Sequence, residues 1–402
     1  MAEATPGPLA GVTVVSLEHA VAAPIATRQL ADLGARVIKI ERPDGGDFAR
    51  SYDHVVGGGL SSTFLWTSRG KESVVADLKS KDGRLTLERL LERADVFIHN
   101  LAPGAVERLG FDAGTLRTLY PRLVVVTNSG YGEAGPYTGR RAYDAIVQCE
   151  AGVVAATGTP DVMVKPGFSA ADIASGMYMF AAALTGLFQR ERTEDGSVVD
   201  IVMLDALTDW MANHIYHAQH SGQVAERISV GHPSVVPYGI YRTADDHEIV
   251  VAVQNDREWQ RFARGVLRDE ALVDDHRMAT NLARSANRNL IDETVAEAIG
   301  RLDEVDAITL LTQANIAYGQ VNSLIEVGDH PQLAARDRWA ATDTPVGPVK
   351  TLRPVIGERG KTYAVGKVPA LGENTESVLT ELGFTEEEIH RMTSSATLPT
   401  VG

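Results

Sequence analysis

The chain has 402 residues, of which 44% are hydrophobic, and its 38 basic against 53 acidic side chains leave a net charge of −15. This composition is that of a folded globular protein and excludes a disordered, collagen-like or coiled-coil chain. The length predicts two structural units, because single cores stop growing at about 250–300 residues. The acidic charge argues against nucleic acid or an anionic membrane as partner, since both bind basic surfaces.

The lack of a recognisable targeting signal and the single cysteine predict a cytoplasmic location. No apolar run reaches about 18 residues, so no transmembrane helix is expected. The first residues have neither a basic segment nor an apolar core, so no secretory signal is expected either. The single cysteine, Cys149, lies in an apolar stretch and cannot form an internal disulfide. We expect it to be a buried, unreactive side chain.

Short apolar strands alternate with amphipathic helices through the first third of the chain. Strand, helix and strand within 30 residues make a βαβ unit, and such units form parallel sheets with helices on both faces. The fold class is therefore α/β, with a large Rossmann-like domain. The predicted strands are 12–17, 36–41, 73–78, 95–99 and 123–127, and the predicted helices are 24–34, 81–93 and 105–109.

The remaining elements predict a second, smaller α+β domain in the middle of the chain. Apolar residues from Ile173 to Leu187 recur at spacings of 4, 3, 4 and 3, which indicates a buried helix. A strand at 198–202, a helix at 204–219, an antiparallel hairpin at 238–242 and 248–253, and helices over 257–313 follow. Thr385 and Glu388 form a capping box before the last helix. We place the large domain at 1–220 and 331–402, the small domain at 225–325, and linkers at 221–237 and 326–355.

Two motifs resemble functional sites but favour simpler interpretations. The glycines of Gly130–Gly135 match GxGxxG after a predicted strand, but no apolar helix follows, as a dinucleotide site requires. We interpret this segment as a loop. His214, His217 and His220 are spaced three residues apart on a predicted helix and could bind a metal, but no acidic ligand accompanies them. A polar helix face is favoured, and no metal site is expected.

The segment Ser169–Asp172 begins the most regular apolar helix and allows two interpretations. In the first, Ser169 caps the helix and Asp172 is an acidic residue of its first turn. In the second, the helix N-terminus holds Asp172 ionised, and the carboxylate is a nucleophile for covalent catalysis. Gly176, one turn later, would leave room on the helix face for a bulky ligand.

Several motifs, in order along nearly the whole chain, resemble the class III (CaiB/BaiF) CoA-transferases. Each motif is weak by itself, but their common order is specific. They are 9–50 (LAGVTVVSLEHAVAAPIATRQLADLGARVIKIERPDGGDFAR), 100–104, 130–136, 143–148, 165–167, 172–176, 231–238, 318–322 and 371–375.

The resemblance implies an activity, a mechanism and an assembly. It implies that CoA moves from an acyl-CoA donor to a small carboxylic acid, with Asp172 as the catalytic residue, through aspartyl anhydride and aspartyl-CoA thioester intermediates. It implies no tightly bound cofactor, since the CoA thioester is a substrate. It also implies a sheet domain built from both chain ends, and an interlocked homodimer.

The resemblance also assigns the surroundings of Asp172. Neighbours of the reacting groups would be His19, Ala20, Tyr143 and Asp144. Contacts to CoA would be Arg42, Lys71, Asn100, Leu101 and Arg141. For the three cations an ordinary surface role is the alternative, and for His19 the alternative is a core histidine.

Departures from the family pattern bear on the substrate. Val21 stands where formyl-CoA transferase has a glutamine that stabilises the reacting carbonyl, which disfavours formate and oxalate. We expect succinyl-CoA as donor and a C4–C5 dicarboxylate (mesaconate, itaconate, citramalate or glutarate) as acceptor. Lys165 and the histidines at 214–220 are candidate partners of its second carboxylate. The alternatives are an α-methylacyl-CoA racemase, for which Tyr143 replaces the catalytic histidine with a poor base, and a non-catalytic CoA-binding protein.

Overall fold

The computed structural model describes residues 6–224 and 226–394. It divides into a large unit, formed by Met1–Val153, Pro166–Asn213 and Leu333–Gly402, and a small unit, formed by Val154–Lys165 and His214–Gln332. The predicted boundaries near 220 and 331 lie close to these, whereas the short segment 154–165 has no counterpart in the predicted division. The predicted start of the small domain, Ala225, lies outside the described residues.

The large unit contains a six-stranded sheet in the order β3-β2-β1-β4-β5-β6. Every pair of neighbours is parallel, which confirms the predicted βαβ organisation. The strand order reverses between β1 and β4, and doubly wound sheets bind ligands outside the carboxyl ends of the strands at such a point. The strands are β1 (Thr13–Leu17), β2 (Arg36–Glu41), β3 (Lys71–Val75), β4 (Val96–His99), β5 (Val124–Ser129) and β6 (Val198–Val202).

The helices largely follow the apolar periodicity of the sequence. The predicted helix 204–219 is divided into two, and the predicted helical region 257–313 consists of several short helices. In chain order they are α1 (Ala22–Asp32), α2 (Ser62–Ser68), α3 (Lys81–Leu91), α4 (Ala105–Arg108), α5 (Ala113–Leu119), α6 (Asp144–Glu150), α7 (Val153–Ala156), α8 (Ala170–Thr193), α9 (Met203–Trp210), α10 (Ala212–Ser221), α11 (Asp256–Phe262), α12 (Ala271–Asp274), α13 (Asn281–Ala286), α14 (Arg288–Ile299), α15 (Glu304–Gln313), α16 (Leu324–Gly328), α17 (Pro331–Ala335), α18 (Thr375–Glu381) and α19 (Glu386–Ser394), with a 3₁₀ helix at Phe48–Ser51 and a π-helical turn at Ala263–Leu267.

The C-terminal segment belongs to the large unit, as expected for a domain built from both chain ends, but it adds no strand to the six-stranded sheet. All six strands lie between residues 13 and 202. The segment instead accepts hydrogen bonds from the backbone N–H groups of edge strand β3. Ser73 N donates to Asn374 Oδ1 (3.0 Å) and Val75 N donates to Thr375 Oγ1 (2.9 Å). Its own strands, β10 (Trp339–Thr342) and β11 (Val349–Leu352), pair antiparallel with each other.

Helix α8 is long and apolar enough to cross a membrane by length and composition, with a mean hydropathy of 1.3 in an 18-residue window. More than half of that window (56%) is buried inside the protein, as in a core helix. A Cβ on Gly176 would lie 2.5 Å from the Ala22 carbonyl oxygen of α1. This glycine therefore permits close packing of α8 on α1, and the expectation that it leaves space for a ligand is wrong.

Local predictions elsewhere have mixed outcomes. The C-terminal capping box is confirmed, since Thr385 N donates to Glu388 Oε2 (2.8 Å) and Glu388 N donates to Thr385 Oγ1 (3.3 Å). The segment Gly130–Gly135 is a loop, and the next helix begins only at Asp144. Cys149 is exposed, contrary to expectation. Val147 and Gln148 take the buried face of α6, and the next side chain is turned about 100° away from Gln148 around the helix.

The small unit packs helices against an antiparallel sheet in the order β7-β8-β9, which includes the predicted hairpin. Its strands are β7 (Tyr238–Arg242), β8 (Glu248–Ala252) and β9 (Ala317–Gln320). Trp259 and Phe262 of α11 are fully buried in its core. It is an α+β unit with a core of its own.

Replacing Gly176 by alanine should destabilise the large unit by about 1–3 kcal/mol, because the added methyl group forces α8 away from the α1 backbone. Urea unfolding of Gly176→Ala measures this loss. Gly357→Ala is the matched control, since a Cβ there meets nothing within 4 Å. Equal midpoints for the two variants would contradict the packing role.

Candidate active site

The carboxyl ends of β1 and β4 are tied together by a reciprocal pair of hydrogen bonds. His19 N donates to Asn100 Oδ1 and Asn100 Nδ2 donates to the His19 carbonyl oxygen, each at 2.9 Å. These are the two strands between which the strand order reverses. The pair therefore fixes the backbone where a doubly wound sheet presents its ligand site.

A cavity of about 760 Å³ lies at these strand ends. An apolar wall and several cations line it, which suits a ligand with an apolar arm and phosphate groups. The apolar lining residues are Leu17, Ile40, Pro43, Ala76, Leu78, Leu101, Ala105 and Leu109; the basic ones are Arg42, Lys79, Arg84 and Arg108; the others are Glu18, His19, Glu41, Asp44 and Asp77.

The predicted CoA contacts differ in their placement. Arg42 and Leu101 line the cavity, and Asn100 binds the His19 backbone beside it. Arg141 is exposed and outside the lining. Sequence reasoning did not identify three further cations of the lining, Lys79, Arg84 and Arg108. Their signal is weak, because surface cations are common and only the strand order brings the segments after β3 and β4 to one edge.

Lys71 is fully buried and also lies outside the cavity lining. Its Nζ donates to Glu18 Oε1 at 2.6 Å and to the Pro24 carbonyl oxygen at 2.9 Å. Burial, opposed by the Glu18 charge, lowers the pKa of the Lys71 ammonium to about 8. This placement makes Lys71 a partner of Glu18, and its predicted contact with the CoA nucleotide gains no support from it.

Asp172 lies in the first turn of α8, and the cap of that helix comes from another element. Asp144 Oδ1 accepts from Ala171 N (2.9 Å) and Asp172 N (3.4 Å), while Ser169 makes no side-chain capping bond. Gln148, one turn further along α6, donates to Asp144 Oδ2 at 2.7 Å. The interpretation of Ser169 as the cap is therefore wrong, since Asp144 takes the donors that Ser169 would have used.

The Asp172 carboxyl is more basic than an ordinary aspartate. Burial, and then the negative charge of Asp144, raise its pKa from 3.8 to about 7. The expectation that the helix N-terminus keeps Asp172 strongly ionised is wrong, because Asp144 already occupies those N–H groups and adds a like charge. A carboxylate of raised pKa is a stronger nucleophile whenever it is ionised.

Aromatic side chains form a second wall near these acids. The His19 ring stacks on Phe48 with centroids 5.3 Å apart. Burial, with the charges of Asp47, Asp172 and Tyr143, raises the pKa of Tyr52 to about 12. Burial is the main cause that lowers the pKa of the His19 imidazole. Asp172 and its predicted neighbour Tyr143 thus act electrostatically on Tyr52, which sequence reasoning did not single out.

The remaining candidates lie in the small unit. Lys165 and the three histidines His214, His217 and His220 belong to it, and all four are exposed. Within residues 6–224 and 226–394 no group of three or more His, Cys, Asp or Glu side chains could hold a metal ion.

Comparison with known proteins identifies the family. The family model for CoA-transferase family III matches residues 9–375. The chain belongs to this family. It is an enzyme that transfers CoA, and CoA thioesters are the substrates of its class.

Two curated relatives and one solved structure cover nearly the whole chain. Succinate–glutarate CoA-transferase of Agrobacterium fabrum is 34% identical, over 93% of this chain and 96% of its own. Succinyl-CoA–D-citramalate CoA-transferase of Chloroflexus aurantiacus is 29% identical, over 96% of each. A CaiB/BaiF family protein from Brucella suis is 31% identical, with a TM-score of 0.83 over 94% of this chain and all of its own.

The raised pKa of Asp172 should make the stability of the protein depend on pH. Between pH 3.8 and about 7 the folded chain binds this proton more tightly than the unfolded chain, so stability falls as the pH rises through that interval. The amide of Asp172→Asn cannot ionise, so this variant should not lose stability as the pH rises through that interval. Its advantage in urea midpoint over the native protein should grow from pH 4.5 to pH 8.

Asp144→Asn provides the matched background for this measurement. It removes the like charge but keeps an oxygen for the N–H groups of α8, and Gln148 Oε1, which has no partner among the described residues, can turn to accept from the new amide. The growth of the difference with pH should shrink in that background. A constant difference in both backgrounds would refute the assigned pKa.

Proposed function

We propose that this enzyme moves CoA from succinyl-CoA to a C4–C5 dicarboxylate, with Asp172 as the nucleophile. The observation that carries the proposal is the state of the Asp172 carboxyl, whose pKa is raised to about 7. This residue lies in the first turn of α8, where the backbone N–H groups donate to Asp144. Ionised Asp172 is therefore available for covalent chemistry rather than engaged as a cap.

The first half of the reaction loads CoA onto Asp172. The Asp172 carboxylate attacks the thioester carbonyl, the carbon–sulfur bond breaks, and CoA leaves as a thiolate while a succinyl–aspartyl anhydride forms. The thiolate then attacks the aspartyl carbonyl and releases succinate. The product is an aspartyl-CoA thioester, which conserves the energy of the original thioester bond.

The second half passes CoA to the acceptor by the same two steps. The acceptor carboxylate attacks the aspartyl thioester and expels the CoA thiolate, which forms a second anhydride. The thiolate attacks the acceptor carbonyl and frees the Asp172 carboxylate. Each intermediate is open to hydrolysis, so the reaction requires that water be kept from the reacting carbonyls.

Each step develops negative charge on a carbonyl oxygen, and we assign its stabilisation to the first turn of α1. Val21 offers no side-chain donor, but helix N-termini present free backbone N–H groups. The α1 backbone at Ala22 packs against Gly176. Gly176 is four residues after Asp172 and therefore on the same face of α8.

The choice of substrates rests on the relatives. The names of the two curated relatives above pair succinate with glutarate and succinyl-CoA with D-citramalate. We therefore propose glutarate, citramalate, mesaconate or itaconate as acceptor.

A CoA-exchange assay tests the proposal. Purified protein receives succinyl-CoA with a panel of mono- and dicarboxylic acids, and mass spectrometry detects new acyl-CoA. We expect exchange with a dicarboxylate and at least a thousandfold loss in Asp172→Asn, as for removal of a covalent nucleophile, with CoA affinity retained. Wild-type rates in Asp172→Asn would refute the nucleophile. Scrambling of a 2-methylacyl-CoA stereocentre without exchange would indicate a racemase, and CoA binding alone a binding protein.

The cavity cations should act on binding rather than on chemistry. Arg108→Gln removes one cation from the lining, so we expect the KM for succinyl-CoA to rise about tenfold, equivalent to about 1.4 kcal/mol, with kcat unchanged. Arg359→Gln, which changes an exposed arginine outside the lining, is the control. Equal KM values in both variants would exclude the cavity as the phosphate site.

A further inference from the structure

We propose that Asp47 is a positioning residue that holds two walls of the active site as one rigid piece. One wall is the turn His19–Ala20 after β1, and the other is the 3₁₀ helix Phe48–Ser51 with Tyr52 after it. Asp47 is nearly inaccessible, and a single carboxylate bonds to both walls. The inference rests on the proposed function, because it concerns the rate of the transfer at Asp172.

The two walls are joined through one oxygen atom. Asp47 Oδ1 accepts from Ala20 N at 3.1 Å and from Ala49 N at 2.9 Å. The first bond fixes the turn, and the second caps the 3₁₀ helix that carries Phe48. The rings of His19 and Phe48 then stack across the joint.

The backbone of Ala20 explains why the turn needs such a partner. Its φ is +61°, in the left-handed region that residues with a Cβ rarely occupy. Such conformations persist only where the surroundings impose them, and they cluster at functional sites. The bond from Ala20 N to Asp47 is one contact that imposes this conformation.

A buried ionic network fixes Asp47 in turn. Lys39 Nζ lies 2.5 Å from Asp47 Oδ2 and 3.4 Å from Glu18 Oε1. Glu18 also binds Lys71 at 2.6 Å, and all four side chains are fully buried. Rotation of the Asp47 carboxylate would therefore break the shorter of the two ion pairs of Lys39, which is costly in a buried site.

Three of the four cavity cations lie on other elements, and the fourth, Arg42, donates to the Gly46 carbonyl oxygen. Lys79 and Arg84 follow β3, and Arg108 ends α4, and Asp47 bonds to none of them. Loss of Asp47 should therefore lower the rate of transfer while CoA affinity changes little. A residue that serves only stability would reduce the amount of folded protein and leave the rate per folded site unchanged.

Asp47→Asn is the direct test. The NH₂ group of the new amide faces either the N–H groups of Ala20 and Ala49, so that both walls lose their acceptor, or Lys39 Nζ, so that a buried ammonium is left opposite a donor and the amide is pushed from its place. We expect kcat per CoA-binding site to fall about tenfold to a hundredfold, the range for losing a hydrogen bond to a charged group, with the Kd for CoA within threefold of the native value.

Asp32→Asn is the matched control. Asp32 is a buried aspartate of the same unit that pairs with two arginines, Arg69 at 2.7 Å and Arg28 at 2.9 Å, at the far end of α1. It should lower the unfolding midpoint without lowering kcat per site. Equal kcat per site in both variants would overturn the proposal.

Two further variants extend the test, and the first of them keeps the proposal falsifiable if Asp47→Asn does not fold. Phe48→Ala leaves the ionic network intact and removes the ring that stacks on His19, so it should also lower kcat without changing the Kd for CoA. Ala20→Gly removes the penalty of the left-handed turn and should partly restore kcat in Asp47→Asn. Native kcat in Phe48→Ala would overturn the proposal. Absence of transfer by the native protein would instead refute the proposed function.

Discussion

The pairing of buried charges at the carboxyl end of β1 is the constraint on which the rest of the site depends. Glu18, Lys39, Lys71 and Asp47 are fully buried, and removing such ions from water costs several kcal/mol each unless they are paired. Burial alone would raise the pKa of Glu18, but Lys71 and Lys39 outweigh it and hold that pKa below its usual value. The network therefore holds its charges only in one arrangement of β1, β2 and β3, and this arrangement fixes the turn His19–Ala20 where the strand order reverses.

A second electrostatic conflict lies at the start of α8. Asp144 and Asp172 compete for the same N–H groups, and Asp144 accepts from both of them. Asp172 is left without these donors and is buried beside the like charge of Asp144, so the pKa of its carboxyl rises to about 7. The arrangement costs stability when both groups are ionised, and it leaves Asp172 more basic than an ordinary aspartate. Stability and reactivity are thus opposed at one helix terminus.

How far the sequence predicts each part depends on whether the part is local. The βαβ pattern, strands β2 and β6, the capping box of Thr385 and the hairpin β7–β8 follow from neighbouring residues and are confirmed. Helix α6 escaped prediction, because its short apolar face is visible only against the core it packs on. The predictions of a buried Cys149 and of ligand space at Gly176 are wrong for a related reason, since burial and close helix packing depend on residues distant in sequence.

The sequence by itself determined the α/β class, the family and the candidacy of Asp172, because periodicity and motif order are written along the chain. Only the tertiary structure decided which carboxylate caps α8 and which cations face the cavity. It also decided that Lys71 binds Glu18 and does not line the cavity. The physical reason is that pKa values and ion pairs depend on distances between residues far apart in sequence, such as Asp144 to Asp172 and Glu18 to Lys71. Parallel strand order sets those distances, and no local pattern records it.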